Sequence, residues 1–429
     1  MRQQPFFNSQ SILKLNDIRQ SAYKKYHSTE TLLLKVQNDI LMKMDEGKVV
    51  ILVLLDLTAA FDTIDHSILL NRLEKRYGVT DTALKWFKSY LTNRTQSVHF
   101  DGQGSEKRNL NFGVPQGSKL GPILFNSYIA PLSETVGKHN IDDEKFADDN
   151  GLLLAFTPKF KENQFKARDQ VINCITEVRE FLRVNKLSNN GDKTEFLIAG
   201  SSQQLKKLEI DSIEVGGVTI KAVSKVRNLG VIFDKNMTME PQVNKICKSG
   251  YYHLRNISSI RNNLSKKDTE ILIHAFVMSV LDNGNSLLYG ITNKHLNKLQ
   301  VLQNSAARVV EMKRKYDHIT ETRKQLHWLP IEARIKHKIL GFVWKCLNTM
   351  APPYLIRKLT IKINHRELRN NADNILVIPK INCITFGGRA FERAAPLLWN
   401  KLPEQIRNAD TLTQFQSRLK THLFIQSYE

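Results

Sequence analysis

Three aspartates that follow apolar segments limit the folds open to this chain. Residues 51–55 are an uncharged apolar run that ends in Asp56, and Asp148 and Asp149 form a tandem pair. Adjacent carboxylates repel one another, so such a pair stays in solvent or has the pKa of one member raised. A buried strand that ends in an aspartate places it opposite a hairpin tip, where carboxylate oxygens suit a divalent cation. The pattern predicts a metal site, whereas the tandem pair alone also suits a solvated turn.

The net charge indicates the kind of partner. The chain has 63 Lys and Arg residues against 42 Asp and Glu residues, a formal charge of +21. A surplus of this size repels itself on a compact body unless a polyanion offsets it, so we expect nucleic acid or an anionic surface. A ribosome-associated or membrane-surface protein would suit the same charge. Hydrophobic content of 41% excludes a disordered chain.

The cysteines and apolar runs bear on the compartment. Four widely spaced cysteines form no CxxC pair, so neither a zinc site nor a small disulfide framework is predicted, and a reducing compartment is expected. No uncharged apolar run approaches the ~18 residues that span a bilayer. We expect a soluble, intracellular protein without a membrane partner, and the sequence does not distinguish nucleus from cytoplasm.

Hydrophobic periodicity, caps and turn residues predict alternating helices and strands. Ser28 caps a first helix that ends at Gly47, and Asp101-Gly102 forms a turn between strands 96–100 and 109–112. Further helices are predicted at 80–91, 118–132, 165–184, 238–257, 265–281 and 294–310, and strands at 49–55, 152–154 and 196–198.

A stretch rich in glycine and proline, residues 113–122, predicts a loop before the helix that Ser118 caps. Because glycine has no Cβ, a glycine-flanked glutamine such as Gln116 can approach the base and sugar of a nucleotide closely. The same stretch also suits an ordinary capped loop.

The order of these motifs resembles that of a reverse transcriptase, and more narrowly the polymerase of jockey-like, LINE-type non-LTR retrotransposons. The motifs that carry the resemblance are at 56–62, 113–117, 146–149, 193–195 and 228–231. Residues 20–31 resemble the family's second fingers motif, and the likeness continues to the end of the chain at 286–290, 327–330 and 394–400. The family's first fingers motif and upstream endonuclease are missing, so we expect an N-terminally truncated element.

The resemblance implies an α/β (α+β) right-hand polymerase fold. We expect partial fingers at 1–47, a palm with a mainly antiparallel sheet and the remaining fingers elements at 48–235, a helical thumb at 236–316 and a basic C-terminal region at 317–429. The implied reaction is RNA-templated addition of deoxynucleotides to a primer 3′-hydroxyl, assisted by two Mg²⁺ ions, with Mn²⁺ as an alternative. The implied partners are an RNA template, a DNA primer, dNTP substrates and an endonuclease from another polypeptide.

The resemblance also assigns catalytic roles to single residues. Asp56 and Asp148 correspond to the aspartates that bind both metal ions, and Asp149 to their weaker-binding companion. Lys193 lies in the motif whose lysine protonates the leaving pyrophosphate, although it also suits a solvated turn.

Four further residues correspond to nucleotide-binding positions. Phe61 corresponds to the steric gate, whose ring would collide with a ribonucleotide 2′-hydroxyl. Gln116 corresponds to the residue that contacts the incoming nucleotide, and Gly117 keeps that surface flat. Lys24 stands where the family usually has an arginine on the triphosphate, a change that keeps the charge and loses the bidentate fork.

The helices from about 238 to 316 carry basic residues interleaved with tyrosines. A polar solvated face would explain them, but beside a polymerase core they suit a thumb that tracks the template–primer duplex. The candidate nucleic-acid-binding residues are Lys245, Lys248, Arg255 and Arg261. Two alternatives remain open at this stage: a catalytically inactive nucleic-acid-binding remnant, and a DNA-templated palm polymerase.

Overall fold

The computed structural model of the chain describes residues 17–189, 194–362 and 374–429. These residues form two compact units. Apart from the gaps, the first comprises residues 17–25, 50–198 and 207–223, and the second comprises residues 26–49, 199–206 and 224–429. The described helices are α1 (Thr29–Asp45), α2 (His66–Tyr77), α3 (Asp81–Leu91), α4 (Gly121–Ile129), α5 (Leu132–Gly137), α6 (Lys161–Val184), α7 (Ser202–Leu205), α8 (Glu240–Ser259), α9 (Lys266–Ile273), α10 (Ser279–Asp282), α11 (Asn293–Val310), α12 (Thr320–Gln325), α13 (Ile331–Leu347), α14 (Pro353–Ile356), α15 (Phe391–Trp399), α16 (Glu404–Arg407) and α17 (Leu412–Tyr428).

The strands form one four-stranded sheet and several two-stranded ladders. The described strands are β1 (Val49–Leu55), β2 (Leu57–Thr58), β3 (Thr95–Gln96), β4 (His99–Phe100), β5 (Gln103–Gly104), β6 (Arg108–Asn109), β7 (Asp142–Phe146), β8 (Asp149–Phe156), β9 (Ser188–Asn189), β10 (Glu195–Ala199), β11 (Ser212–Val215), β12 (Val218–Lys221), β13 (Lys225–Asn228) and β14 (Val231–Asp234). The four-stranded sheet has the order β10-β1-β8-β7, and the ladders are β2-β9, β3-β6, β4-β5, β11-β12 and β13-β14.

The central strand β1 explains the apolar run that precedes Asp56. All its residues except Leu54 are buried, because the strand has neighbours on both edges and cover on both faces. β7 and β8 form an antiparallel hairpin in which Phe146 lies opposite Asp149. The predicted strand at 49–55 and the predicted returning strand at 152–154 are therefore confirmed.

Two local predictions for the first unit were wrong. The Asp101-Gly102 turn joins β4 to β5, whereas β6 pairs with β3, so the turn closes a shorter ladder than predicted. The helix predicted at 118–132 begins at Gly121, whose N–H donates to Ser118 Oγ at 2.9 Å, and is split before Leu132. Pro131 ends the first piece because proline has no N–H to continue a helix.

In the second unit, the predicted N-terminal cap of α1 is confirmed and the predicted cap of α8 is wrong. Ser28 Oγ accepts from the N–H of Thr31 at 3.1 Å, and Thr31 Oγ1 accepts from the N–H of Ser28 at 2.9 Å, a reciprocal cap that confirms the start of α1. Thr238, predicted to cap α8, lies one residue too early. The cap position is Met239 (φ +63°), whose N–H donates to Asp234 Oδ1 at 2.8 Å.

The C-terminal part of the second unit is helical and packs around aromatic side chains. Trp344 of α13, Trp399 of α15 and Phe415 of α17 are buried, and the Phe415 ring centroid lies 5.9 Å and 5.7 Å from the two indoles. These rings bring helices distant in sequence into one core. Among the described residues, no helix combines the length and apolar character needed to cross a bilayer.

Candidate functional site

Asp148 lies at the tip of the β7–β8 hairpin. The pair Phe146 and Asp149 closes the ladder, so Ala147 and Asp148 are the two loop residues. Ala147 has φ +58°, in the left-handed region that favours glycine. Two-residue hairpin loops need a positive φ at their first position because only then does the loop match the strand twist. The tandem aspartates are therefore presented by a tight turn with an unfavourable residue in it.

Asp56 directly follows β1, the strand beside β8 in the sheet, and its charge acts on the Asp149 carboxylate. The pKa of Asp149 is raised, first by partial burial of its carboxyl and then by the negative charges of Asp148 and Asp56. Much of Asp149 nevertheless faces solvent. Asp148 and Asp56 are thus near enough for their charges to disfavour the charged form of Asp149.

The donor set fits a hard divalent cation. Three carboxylates supply the oxygen ligands that Mg²⁺ and Mn²⁺ prefer. Partial burial, and then the negative charges of Asp148 and Asp56, raise the pKa of Asp149, and a bound cation would offset those charges. Within residues 17–189, 194–362 and 374–429, no three His, Cys, Asp or Glu side chains are already gathered around one point. Asp56, Asp148 and Asp149 are the residues that would hold the ions.

Phe61 lies in the turn after β2 and is half-buried. Its ring stacks on Phe125 of α4, with the centroids 4.5 Å apart and the planes 25° from parallel. The stacking stabilises this orientation of the Phe61 ring. The Phe61 carbonyl accepts from the N–H of Val114 at 3.0 Å, which brings the turn against the glycine-rich loop.

Gln116 lies in that loop with its side chain directed to Asp62. Its Nε2 donates to Asp62 Oδ1 at 2.9 Å and to Oδ2 at 3.0 Å. The loop approaches the same turn through Gly113 (φ +82°), where a Cβ would lie 2.8 Å from the Asp62 carbonyl oxygen. Gly117 has φ +76° and open space around its Cβ position. The loop thus places the Gln116 amide against Asp62, the residue that follows Phe61.

Alanine substitutions at Gly113 and Gly117 are expected to distinguish the cost of a positive φ from the cost of a steric clash with the Asp62 backbone. Both have positive φ, which costs an alanine about 1–2 kcal/mol. Gly113→Ala also drives a Cβ into the Asp62 backbone, so its loss of unfolding free energy should exceed that of Gly117→Ala by at least about 1 kcal/mol. Urea unfolding of the two variants measures the difference, and equal losses would contradict the packing described here.

The two predicted lysines have different outcomes. Lys24 Nζ donates to the backbone oxygen of Asp17 at 2.5 Å. Burial lowers the pKa of Lys24; the negative charge of Asp17 opposes this effect, and the positive charge of Lys145 adds to it. Its ammonium is thus engaged by the chain itself. Lys193 lies outside the described residues.

The predicted nucleic-acid-binding residues divide into an exposed pair and an engaged pair. Lys248 and Arg255 of α8 are exposed and lie seven residues apart, so they share a face with the exposed Tyr251 and Tyr252. Lys245 donates to the carbonyl of Gly230.

The Arg261 guanidinium donates to three backbone carbonyls, those of Leu264, Val309 and Val310, each at 2.8 Å. Two of them belong to the last turn of α11, whose carbonyls have no partner within the helix. Its side chain therefore stabilises the second unit.

Two residues beside the tandem aspartates received no role from the sequence. Gln20 contacts the backbone of Ala147 through its side chain. The pKa of Tyr23 is raised, first by burial and then by the charge of Asp148. Both residues lie in the 20–31 motif, and that motif is the sequence signal that points to them. Their interactions with Ala147 and Asp148, more than 100 positions away, cannot be read from the local pattern.

Comparison with known proteins agrees with the motif order. The family model described as "Reverse transcriptase (RNA-dependent DNA polymerase)" matches residues 7–233. The probable RNA-directed DNA polymerase from transposon BS of Drosophila melanogaster is 26% identical over 75% of this chain and 36% of that protein. The RNA-directed DNA polymerase from mobile element jockey of Drosophila melanogaster is 24% identical over 67% of this chain and 31% of that protein.

The chain thus spans about a third of the length of these relatives. Among solved structures, telomerase from Candida albicans in complex with a fragment of telomeric RNA aligns over 72% of this chain and 51% of that chain, with 14% identity and a TM-score of 0.35. The relatives' names confirm the resemblance to jockey-like, LINE-type polymerases, and the mixed helices and antiparallel strands confirm the α/β polymerase fold class. Because the matched residues make up more than half of its length, the chain belongs to the reverse transcriptase (RNA-dependent DNA polymerase) family.

Proposed function

We propose that this chain is an RNA-directed DNA polymerase that adds deoxynucleotides to a primer 3′-hydroxyl on an RNA template. The observation that carries the proposal is the position of Asp56 and the Asp148–Asp149 pair at the ends of neighbouring strands, where the charges of Asp148 and Asp56 act on Asp149, in a chain of the reverse transcriptase family. Phosphoryl transfer depends chiefly on positioning and charge neutralisation, so a carboxylate site without a nucleophilic side chain is sufficient for it.

Each candidate residue has a distinct part in the proposed reaction. Asp56 and Asp148 hold two divalent ions, Mg²⁺ or Mn²⁺, and Asp149 assists them. When bound, such ions stabilise the attacking and leaving oxygens of the displacement. Phe61 excludes a 2′-hydroxyl, and Lys193 is proposed to supply a proton to the leaving pyrophosphate.

Gln116 and Gly117 form the proposed surface for the incoming dNTP. Gln116 Nε2 donates to both oxygens of the Asp62 carboxylate, and these contacts hold the Gln116 amide in one orientation on the loop. Lys24 would need to leave the Asp17 carbonyl before it could reach a triphosphate.

Template choice separates the proposed function from its two alternatives. Purified protein with a matched RNA or DNA template, a DNA primer, dNTPs and Mg²⁺ should extend the primer on RNA. Extension only on the DNA template would support a DNA-templated palm polymerase. Template binding without extension in Mg²⁺ or Mn²⁺ would support a catalytically inactive remnant and overturn the proposal.

Phe61→Ala is expected to relax sugar discrimination. Only the collision with the 2′-hydroxyl is relieved, so ribonucleotide use relative to deoxynucleotide use should rise at least about tenfold, or about 1.4 kcal/mol. The measurement is the ratio of single-nucleotide incorporation efficiencies. Phe100→Ala is the matched control, because Phe100 is 83% exposed in the β4–β5 ladder. An unchanged ratio in an active Phe61→Ala protein would remove Phe61 from this role.

The exposed face of α8 (Lys248, Tyr251, Tyr252 and Arg255) is the proposed phosphate-contacting surface. Each phosphate contact contributes about 0.9 to the slope of log affinity against log salt on duplex and about 0.7 on single strands. Removing Lys248 and Arg255 together should therefore flatten the slope for RNA–DNA hybrid by about 1.4–1.8.

The control is the double substitution of Lys43 and Lys48, which removes the same charge. Both ammonium groups already pair with Glu46, at 2.9 Å and 2.7 Å, so the slope should be nearly unchanged. An equal effect of the two double substitutions would mean that only net charge matters.

A further inference from the structure

A short segment that leads into the fingers motif runs along the edge of the sheet that carries the tandem aspartates. We name residues 17–22 the strap. Gln20 pairs with Lys145 of the edge strand β7 in a parallel bridge. The N–H of Ser21 donates to the Lys145 carbonyl at 2.8 Å, and the N–H of Lys145 donates to the Arg19 carbonyl at 3.3 Å. The strap thus occupies hydrogen-bonding groups that an edge strand would otherwise leave open.

From this position the Gln20 side chain makes hydrogen bonds with the backbone of Ala147, the turn residue that precedes Asp148. Gln20 is 1% exposed. Its Oε1 accepts from the N–H of Ala147 at 3.0 Å, and its Nε2 donates to the carbonyl of Ala147 at 3.2 Å. The same Oε1 accepts from the N–H of Ala22 at 2.9 Å. One amide therefore satisfies both backbone polar groups of the residue whose φ is +58°.

The strap is itself anchored by buried charge. Lys145 Nζ donates to Asp17 at 2.8 Å and to Ser133 Oγ at 2.6 Å, and lies 3.4 Å from Asp143. The Arg19 guanidinium pairs with Asp143 from the strap side. Burial alone would raise the pKa of Asp17, but the charge and hydrogen bond of Lys145 lower it overall. Ion pairs of Asp17 and Arg19 and the backbone hydrogen bond of Ser21 fix the chain on either side of Gln20. The backbone position from which the Gln20 side chain extends is therefore fixed.

We propose that Gln20 is a positioning residue for the candidate metal ligands. An alanine leaves the left-handed region when nothing holds it there. The paired hydrogen bonds to Ala147 hold that conformation and thereby set the direction in which Asp148 and Asp149 leave the turn. This inference rests on the proposed function, because it assumes that these carboxylates bind cations. The role is one of positioning, because the hydrogen bonds described for the Gln20 side chain are made with backbone groups of Ala147 and Ala22.

The test is a titration of the full chain with Mn²⁺ in the absence of nucleic acid. The electron paramagnetic resonance signal of free Mn²⁺ measures how much of the ion is bound. Gln20→Leu keeps the approximate size and removes the hydrogen bonds. Partners that orient metal ligands typically change metal affinity about 10–100-fold, so the Mn²⁺ dissociation constant should rise at least about tenfold. Ala147→Gly in the Gln20→Leu background should recover part of the affinity, because glycine adopts a positive φ without strain.

Gln164→Leu is the matched control. Gln164 is also 1% exposed and also makes three hydrogen bonds with backbone groups, to the carbonyls of Pro158 and Lys207 and from the N–H of Glu209, each at 2.9 Å. Both variants should lower the thermal midpoint to a similar extent, but Gln164→Leu should keep the parent's Mn²⁺ affinity. Equal loss of affinity in the two, or parent-like affinity in folded Gln20→Leu, would overturn the proposal.

Asp148→Asn distinguishes failure of this inference from failure of the proposed function. If Asp148→Asn loses Mn²⁺ and Gln20→Leu keeps it, the metal site stands and the positioning role is wrong. If Asp148→Asn binds Mn²⁺ as the parent does, the carboxylates are not the ligands and both proposals are overturned. If Mn²⁺ binding responds to both substitutions but no primer is extended, the positioning role stands and the polymerase proposal is wrong.

Discussion

Asp148→Ala is expected to lower primer extension by about a thousandfold or more, which corresponds to about 4 kcal/mol of transition-state stabilisation. The substitution removes a carboxylate from the hairpin tip and leaves the ladder between Phe146 and Asp149 intact. Template binding should be nearly unchanged, because Asp148 is not part of the proposed phosphate-contacting face of α8. Asp56→Ala should have an effect of the same order. Single-turnover extension on an RNA template measures both.

Asp142→Ala is the matched control for that experiment. Asp142 is an exposed aspartate at the other end of the same strand, β7, so its loss removes one charge from the hairpin without touching the tip. Its extension rate should stay near that of the parent. Residual activity of Asp148→Ala within about tenfold of the parent, about 1.4 kcal/mol, would remove Asp148 from the catalytic role.

Lys145→Met is expected to have the largest effect on stability. Lys145 is fully buried and faces the carboxylates of Asp17 and Asp143, which are themselves buried. Removing one partner of such a network leaves uncompensated charge, which typically costs about 3–5 kcal/mol. Urea unfolding at neutral pH measures the loss. Lys138→Met is the control: its side chain is 68% exposed and 4.0 Å from Glu177, so a change within about 0.5 kcal/mol is expected.

The pH dependence of that loss has a definite sign. The pKa of Asp17 is lowered from its ordinary value of 3.8, so the charged form is favoured in the folded protein. Its contribution to stability is complete above the unfolded-state pKa and disappears as the pH falls through the lower folded-state pKa. The difference in unfolding free energy between the parent and Lys145→Met should therefore be constant near neutrality and should decrease below about pH 4. A gap that widens on acidification would contradict the ion network.

Elements fixed by local chemistry were predictable from the sequence. β1 was readable because a run without polar residues suits only a strand covered on both faces. The start of α1 was readable because Ser28 and Thr31 satisfy each other's backbone N–H groups within one turn. The hairpin at the tandem aspartates was readable because the apolar run 152–154 follows them as a returning strand.

Elements fixed by distant partners were not predictable. The turn at Asp101-Gly102 showed where the chain reverses but not which strands pair around it. The start of α8 depends on the carboxylate of Asp234, which lies at the end of β14. The local pattern around Arg261 shows its charge but not the two carbonyl acceptors that lie almost 50 residues further along the chain. For the same reason Gln20 had no assigned role.

Primer extension by the purified full chain, with an RNA template, a DNA primer, dNTPs and Mg²⁺, is the most direct test of the central claim that this is an RNA-directed DNA polymerase. We predict products that lengthen with time on the RNA template, disappear when EDTA removes the metal and do not form with Asp148→Ala. A folded protein that binds the template–primer duplex but adds no nucleotide in Mg²⁺ or Mn²⁺ would contradict the claim.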